Sequence, residues 1–167
     1  KGTKQAIMGF DVAQNRLDEL KEAGGIPVKD PDEIYRSCDI IMQMLPTHAT
    51  IIHSVERAIE LGKPGNIIID CSSTAPDINQ ELYAKTKAAG MTLLDSPVSG
   101  GNPMAIAGTL AIMTGGDKEA FDEVLPILES MGKPVYTGKS GSGDVTKLVN
   151  NMIAGNMLTA IAEGYAF

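Results

Sequence analysis

Short apolar runs alternate with helical stretches along the whole chain, and this alternation restricts the possible fold more than any other feature. The runs that predict strands lie at residues 5–11, 38–45, 66–71, 91–95 and 109–114. The intervening helical stretches end at glycines, which commonly terminate helices. Strands and helices at this spacing predict an α/β fold with a doubly wound, mostly parallel, Rossmann-like sheet. The nearly continuous apolar run at 38–45 predicts a strand covered on both faces.

The two ends of the chain differ from the expected pattern of a complete doubly wound nucleotide-binding domain. The first strand leads directly to Asp11 rather than to a Gly-rich turn, as a second strand would. From Gly143 a helical stretch with one apolar stripe continues to Phe167 without a stop signal. We therefore expect residues 1–141 to form such a domain without its first strand and Gly-rich turn. Residues 142–167 are expected to begin a long helix that needs a cover.

Composition and charge exclude several classes of function. The formal net charge of −7 argues against nucleic-acid binding, which requires a basic surface. No apolar run approaches the roughly 20 residues of a membrane-spanning helix, and no signal-peptide pattern is present. The two cysteines and two histidines show no metal-ligand spacing, so no metal site is expected. Cys38 and Cys71 are typical of buried residues in a reducing compartment, which favours a cytoplasmic protein.

Polar residues follow three of the predicted strands, where parallel sheets bind their ligands. Asp11 is placed to accept hydrogen bonds from the ribose hydroxyls of a dinucleotide, and the absence of a cation at the next two positions favours NAD over NADP. Pro46, after Leu45, turns the chain so that it can pack against a flat ligand. The hydroxyls of Ser72, Ser73 and Thr74 can face a nicotinamide ring. Structural roles, as a turn aspartate and as helix caps, remain open for these residues.

Two further motifs carry more specific chemistry. Ser99 is followed by Gly100 and Gly101, which together offer a hydroxyl and bare backbone N–H groups to a carboxylate. Lys147 and Asn151 are four residues apart in the last helix and so share one face. A lysine beside an alcohol or carbonyl carbon can donate or accept the proton of a hydroxyl, with the asparagine orienting it or the substrate.

With these two motifs in this order, the sequence closely resembles the β-hydroxyacid dehydrogenase family over essentially its whole length. The family includes 3-hydroxyisobutyrate dehydrogenase, tartronate semialdehyde reductase and 6-phosphogluconate dehydrogenase. The resemblance implies an oxidoreductase that transfers a hydride between NAD or NADP and a small anionic hydroxyacid or its semialdehyde. It assigns catalysis to Lys147 with help from Asn151, and it assigns the substrate carboxylate to Ser99, Gly100 and Gly101.

The same resemblance places cofactor contacts at Leu45, Pro46 and Thr74. It implies that residues 142–167 begin an interdomain helix leading to an all-helical domain, in a homo-oligomer. Within the family, Asn150 counts against 6-phosphogluconate dehydrogenase, and the stretches 100–110 and 141–148 are nearer to tartronate semialdehyde (2-hydroxy-3-oxopropionate) reductases. Two alternatives remain: a 3-hydroxyisobutyrate dehydrogenase, and a non-catalytic nucleotide-binding or interaction module of the same fold.

Overall fold

The computed structural model describes residues 6–167, in which short strands and helices alternate. The strands are β1 (Met8–Gly9), β2 (Ile26–Pro27), β3 (Ile40–Gln43), β4 (Ile67–Asp70), β5 (Thr92–Asp95), β6 (Val98–Ser99), β7 (Leu110–Gly115) and β8 (Gly132–Gly138). The helices are α1 (Gln14–Glu22), α2 (Asp32–Ser37), α3 (His48–Leu61), α4 (Pro76–Ala88), α5 (Gly101–Ala107), α6 (Lys118–Met131) and α7 (Ser142–Ala166). Within this part of the chain, no helix is long and apolar enough to cross a membrane.

The strands form a parallel pair, β1–β2, and a separate six-stranded sheet. The larger sheet has the order β3-β4-β5-β7-β6, with β8 beside β7. Its β3–β4, β4–β5 and β7–β8 pairings are parallel, whereas β5–β7 and β6–β7 are antiparallel. The prediction of a mostly parallel sheet is confirmed. The β6–β7 pairing is antiparallel because the connection between these strands is shorter than the dozen or so residues that a parallel crossover needs.

Helices cover both faces of the larger sheet. All four residues of β4 are buried, and their side chains alternate between the faces. Ile67 and Ile69 pack in one apolar cluster, which α6 covers, and Ile68 packs in a second cluster, which α3 and α4 cover. This sandwich of helix, sheet and helix confirms the predicted doubly wound arrangement.

The expectation that residues 38–45 form a strand covered on both faces is wrong. Ile41 and Gln43 of β3 are buried, but Met42 is 40% exposed. The reason is topological: β3 is the outermost strand at its end of the six-stranded sheet, and neither β1 nor β2 pairs with it. A continuous apolar run therefore reports the composition of this strand without reporting its place in the sheet.

Most other element boundaries lie within one or two residues of their predicted positions. Thr47 caps α3 through a reciprocal capping box. That helix ends at Gly62, in line with the prediction that glycines end the helices. The predicted first strand is reduced to β1, and its starting residue, Gln5, lies outside the described residues. β2 and β6 were not predicted, since each has only two residues and leaves no periodic pattern.

Beyond the first turn of α7 the side chains are exposed except for that of Lys147, and the exposed ones include the large apolar residues. At about 100° per residue, the apolar residues up to Ile153 lie on one side of the helix and those from Met157 onward on the opposite side. The predicted exposure is confirmed, but the single predicted stripe is wrong. The exposed apolar residues are Val145, Leu148, Val149, Met152, Ile153, Met157, Leu158, Ile161, Tyr165 and Phe167.

Candidate active site

An open pocket of about 490 Å³ lies where β3, β4 and β6 end and α7 begins. Three loops and one helix supply its walls, so its residues come from positions more than 100 apart in the sequence. Its lining consists of Met44, Leu45, Pro46, Cys71, Ser72, Ser73, Val98, Ser99, Gly100, Gly101, Lys147 and Asn151. Seven of the nine residues that the sequence predicts for the site are in this list.

The other two predicted site residues, Asp11 and Thr74, do not line the pocket. Thr74 is 3% exposed, its hydroxyl donates to Asp70 Oδ2 at 3.1 Å, and its backbone N–H points to Asp144 Oδ1 at 3.4 Å. Asp11 is exposed beyond β1, where its Oδ1 accepts a hydrogen bond from the Ala13 N–H at 2.8 Å. Asp11 thus has the turn contact left open by the sequence, whereas Thr74 does not cap α4, whose N-cap residue is Ala75.

The turn after β3 forms one wall of the pocket. The Leu45 N–H donates to the Ser72 hydroxyl at 2.8 Å, which ties this turn to the loop after β4. Pro46 has no N–H to satisfy, so the turn presents mainly apolar surface. Ser72 and Ser73, the two residues before Thr74, line the pocket beside this turn.

The loop from β6 into α5 forms the opposite wall. Gly100 has φ of 137°, and a Cβ there would come within 2.7 Å of the Met104 side chain, so this turn requires glycine. Ser99 Oγ accepts a hydrogen bond from Asn150 Nδ2 at 3.3 Å. Asn150 was not predicted as a site residue. Its spacing from Lys147 could have indicated it, because residues three apart also share a helix face.

The first turn of α7 is fixed to the sheet by a buried carboxylate. Asp95, at the end of β5, is 0% exposed and accepts backbone N–H groups from Gly141 at 2.9 Å, Gly143 at 2.7 Å and Asp144 at 3.2 Å. These are N–H groups that a helix N-terminus leaves without internal partners. Burial raises the pKa of Asp95, and the three N–H groups oppose that rise. No local sequence pattern indicates this contact, which joins residues 46 to 49 positions apart.

Gly143 explains how closely α7 approaches the sheet. A Cβ at this position would lie 2.4 Å from the Met113 carbonyl oxygen and 2.5 Å from the Asp95 carbonyl oxygen. Both are backbone atoms that cannot move aside, so no other residue fits. The second glycine of the predicted helix start therefore serves close packing, which sets the position of the next turn.

Lys147 is half-buried in the wall of the pocket, one turn into α7. Burial lowers the pKa of its ammonium below the ordinary value, and no charged neighbour among the described residues opposes this. Within the same part of the chain, no carboxylate lies within ion-pair distance of its Nζ. An ammonium with a lowered pKa and no fixed counter-ion is suited to giving up and regaining a proton.

The thiol of Cys71 also lines the pocket, but its environment makes it unreactive. Burial, followed by the nearby charge of Asp70, raises the pKa of Cys71 to about 12. Since the thiolate is the reactive form of cysteine, this thiol is not a nucleophile near neutral pH. Both cysteines are free thiols, and Cys71 is buried as predicted, whereas Cys38 is only partly buried.

Comparison with known proteins assigns the domain. Residues 2–141 match the family model described as the NAD binding domain of 6-phosphogluconate dehydrogenase. The NAD-dependent L-serine dehydrogenase of Pseudomonas aeruginosa is 32% identical over 161 residues, which are 94% of this chain and 54% of that protein. A probable mitochondrial 3-hydroxyisobutyrate dehydrogenase of Dictyostelium discoideum is 35% identical over 161 residues, covering 94% of this chain and 50% of that protein.

A solved structure gives the same result. Mycobacterium tuberculosis 3-hydroxyisobutyrate dehydrogenase with L-serine superposes with a TM-score of 0.90 at 32% identity, covering 96% of this chain and 56% of that one. The chain thus spans about half the length of the curated relatives it matches. The predicted family and the predicted Rossmann-like fold are both confirmed. The chain belongs to the family of NAD-binding domains found in 6-phosphogluconate dehydrogenase and the related β-hydroxyacid dehydrogenases.

Proposed function

We propose that the full-length protein is an NAD(P)-dependent β-hydroxyacid dehydrogenase whose chemistry takes place in the pocket at the start of α7. The observation that carries this proposal is that Lys147, Asn151, Ser99 and the two glycines after Ser99 line one pocket. This set combines an acid–base group with groups suited to a carboxylate, as a small anionic hydroxyacid requires.

Lys147 is the catalytic acid and base in this proposal. Bound NAD(P) supplies the hydride during carbonyl reduction and accepts it during alcohol oxidation. In the reducing direction Lys147 donates a proton from Nζ to the carbonyl oxygen as negative charge develops there. In the oxidising direction its neutral amine takes the hydroxyl proton. The lowered pKa of Lys147 brings its two protonation states closer in free energy at neutral pH, which favours both steps.

The loop after β6 binds the substrate carboxylate. The Ser99 hydroxyl and the N–H groups of Gly100 and Gly101 are the donors, and Asn150 fixes the Ser99 hydroxyl through the 3.3 Å hydrogen bond. Asn151, one turn beyond Lys147, holds the reacting hydroxyl in reach of Nζ. The two asparagines thus serve different partners, although they are adjacent in the sequence.

The residues on the other side of the pocket fit the nicotinamide end of the cofactor. Leu45 and Pro46 offer an apolar wall held in place by Ser72, which suits a flat ring. Ser72 and Ser73 provide hydroxyls at its edge. The contact predicted for Thr74 stays a prediction, and in this arrangement its backbone and hydroxyl stabilise the loop that carries these two serines.

We propose NAD rather than NADP as the preferred cofactor. In this proposal Asp11 accepts hydrogen bonds from the ribose hydroxyls, and its carboxylate would repel a 2′-phosphate. The nearest downstream cation, Arg16, is paired with Glu19 at 2.9 Å. Val12 is 94% exposed, so Val12→Arg should fold normally and shift the kcat/KM ratio of NADPH to NADH by about fivefold, as one exposed ion pair permits. Val12→Ala is the control, and a wild-type preference for NADPH would contradict the proposal.

Among the possible substrates we propose 2-hydroxy-3-oxopropionate (tartronate semialdehyde). This choice rests on the stretches 100–110 and 141–148, which resemble those of tartronate semialdehyde reductases. The names of the relatives favour a second candidate group, 3-hydroxyisobutyrate and serine. A panel of these three substrates with both cofactors, on the full-length protein, tests the assignment. The highest kcat/KM for tartronate semialdehyde supports our choice, and a higher value for either other substrate replaces it.

The same panel tests the alternative of a non-catalytic module. A module that only binds nucleotide would show cofactor binding by calorimetry but no turnover of any substrate, whereas the enzyme shows both.

We further propose that residues 1–141 are the cofactor domain and that α7 leads into a helical domain. We also propose that the protein is cytoplasmic and forms a homo-oligomer. Sedimentation of the full-length protein measures its oligomeric state.

A further inference from the structure

Four buried polar side chains meet beneath the first turn of α7, and none of them lines the pocket. Asp70 comes from β4, Asp95 from β5, Asn79 from α4 and Asp144 from α7 itself, and each is at most 2% exposed. In the described part of the chain no group of acidic, cysteine or histidine side chains is arranged to hold a metal ion. The cluster therefore has to be stable through its own hydrogen bonds and protonation.

Two of the carboxylates are well satisfied. Asp95 accepts three backbone N–H groups from the start of α7, as described above. Asp70 accepts the Ser72 N–H at 3.1 Å and the Thr74 hydroxyl at 3.1 Å. Acceptor-only contacts of this kind are those of ionised carboxylates.

Asp144 is different. One of its oxygens, Oδ1, has a single long contact of 3.4 Å with the Thr74 N–H, and the other, Oδ2, is buried without a partner. The Asn79 amide faces this carboxyl, yet its oxygen and nitrogen are also buried without well-formed hydrogen bonds. An unpartnered carboxylate oxygen and an unpartnered amide oxygen are both acceptors. A proton on Asp144 makes these two oxygens complementary, whereas the unpartnered Nδ2 of Asn79 suits an ionised carboxylate, so the charges around Asp144 decide between the two states.

The charges around Asp144 favour that proton. Burial and then the charge of Asp95 raise the pKa of Asp144 to about 7, with a smaller contribution from the charge of Asp70. The Thr74 N–H, whose effect exceeds that of Asp70, and the Asn79 amide oppose this rise. α4 contributes Asn79 to its surroundings. β7 and β8, which also pack against α7, contribute no charged group that acts on it among the described residues.

We propose that Asp144 is a positioning residue for Lys147, carried as a neutral carboxylic acid whose O–H donates to the Asn79 amide oxygen. Asp144 lies three residues before Lys147, one turn away on the same side of α7. Its ionisation places a second negative charge beside Asp95, the carboxylate that fixes this helix end, and so loosens the turn that carries Lys147. The link to catalysis rests on the proposed function, but the positioning itself does not.

Thermal unfolding of the chain tests the protonation. Because the pKa of folded Asp144 lies above its ordinary value of 3.8, the folded state holds the extra proton between that value and about pH 7. The wild type therefore loses stability as pH rises through this window, and stability is constant again above it. Asp144→Asn is neutral and keeps the shape. Its Tm should exceed that of the wild type by a margin that widens by about 5 °C from pH 4 to pH 7.5.

Amine labelling measures the position of Lys147 without any need for activity. Brief acetylation with acetic anhydride, followed by peptide mass spectrometry, gives the labelling rate of Lys147 relative to exposed Lys133. We define the labelling ratio as this relative rate in the wild type divided by that in Asp144→Asn. The labelling ratio should be near one at pH 6 and should rise several-fold at pH 8.5. Asp77→Asn, an exposed carboxylate in the first turn of α4, is the matched control and should leave both measurements unchanged.

The outcomes separate cleanly. A Tm margin that stays constant with pH, or a carboxyl titration of Asp144 below pH 5 by NMR in the wild-type chain, overturns the proposal. So does a labelling ratio that stays at one while the Tm margin widens, since Asp144 then stabilises the fold without positioning Lys147. A widening margin with a rising ratio supports it, whether or not the full-length protein turns over the substrate panel.

Discussion

The first turn of α7 and the remainder of the same helix are held in opposite ways. The first turn contains the only two buried residues of the helix, Gly143 and Asp144, and Asp95 satisfies three backbone N–H groups around it. The large apolar side chains beyond it are exposed on two sides of the helix. One continuous helix thus passes from a fully packed end to a part with almost no tertiary contacts.

This difference shows which part of the site this chain specifies by itself. A helix is stiff over a few turns, so its direction is set where its end is fixed. Lys147 and Asn151 lie just beyond that fixed end and line the pocket. The distal turns contribute nothing to the pocket, and their apolar residues fit a helix surrounded by other elements. Three substitutions probe the two parts.

The largest effect is expected at Lys147, on the fixed part of the helix. In the full-length protein Lys147→Ala should lower kcat by about 10² to 10⁴-fold, the usual contribution of a positioned proton donor, and leave cofactor affinity nearly unchanged. Lys147→Arg should recover little activity, because guanidinium does not release its proton. Steady-state kinetics measure both variants, with exposed Lys133→Ala as the control. If kcat of Lys147→Ala stays within a few-fold of wild type while chemistry is rate-limiting, Lys147 is not the catalytic acid and base.

Removing the Asp95 carboxylate should detach the N-terminal end of α7 from the sheet. Asp95→Ala leaves the N–H groups of Gly141, Gly143 and Asp144 buried without their acceptor, which should lower the free energy of unfolding by about 3 kcal/mol. Urea denaturation of the chain measures this loss. The control is Asp122→Ala, which removes only an exposed ion pair with Lys118 and should cost less than about 1 kcal/mol. Equal losses in the two variants would mean that Asp95 does not hold the helix.

The smallest effect is expected in the distal turns, and it should depend on context. Leu158 is 68% exposed, so Leu158→Ala in this chain should change the free energy of unfolding by no more than about 0.5 kcal/mol. In the full-length protein, where we expect the helix to be covered, the same change should cost about 2 kcal/mol or more. Leu93→Ala, at a fully buried position, should be costly in both. A small effect of Leu158→Ala in both proteins would show that this face stays exposed.

The local sequence was sufficient to predict the elements that signal themselves locally. The glycines that end helices and the buried run at β4 predicted α3, α4, α6 and the core strands closely. The Ser99 loop and the Lys147 helix were found for the same reason, since each combines its residue types within a few positions. The pocket confirms that they lie together.

What the sequence could not show depends on residues far apart in the chain. The edge position of β3, the antiparallel seam at Asp95 and Gly115, and the hydrogen bond from Asn150 to Ser99 involve partners that no local pattern names. Thr74 reads locally as a pocket hydroxyl, but the fold turns it toward Asp70.

The acidic cluster makes the same point energetically. As single letters in the sequence, Asp95 and Asp144 are ordinary acidic residues, and nothing near either one signals burial. Packing α7 against β5 places both carboxyls out of water, and burial raises the pKa of each. Asp95 also accepts the backbone N–H groups that fix the helix. The sequence therefore determined which chemical groups the site has. The tertiary structure decided the protonation and orientation of these groups. The reason is that the fold removes them from water and brings charged groups close together.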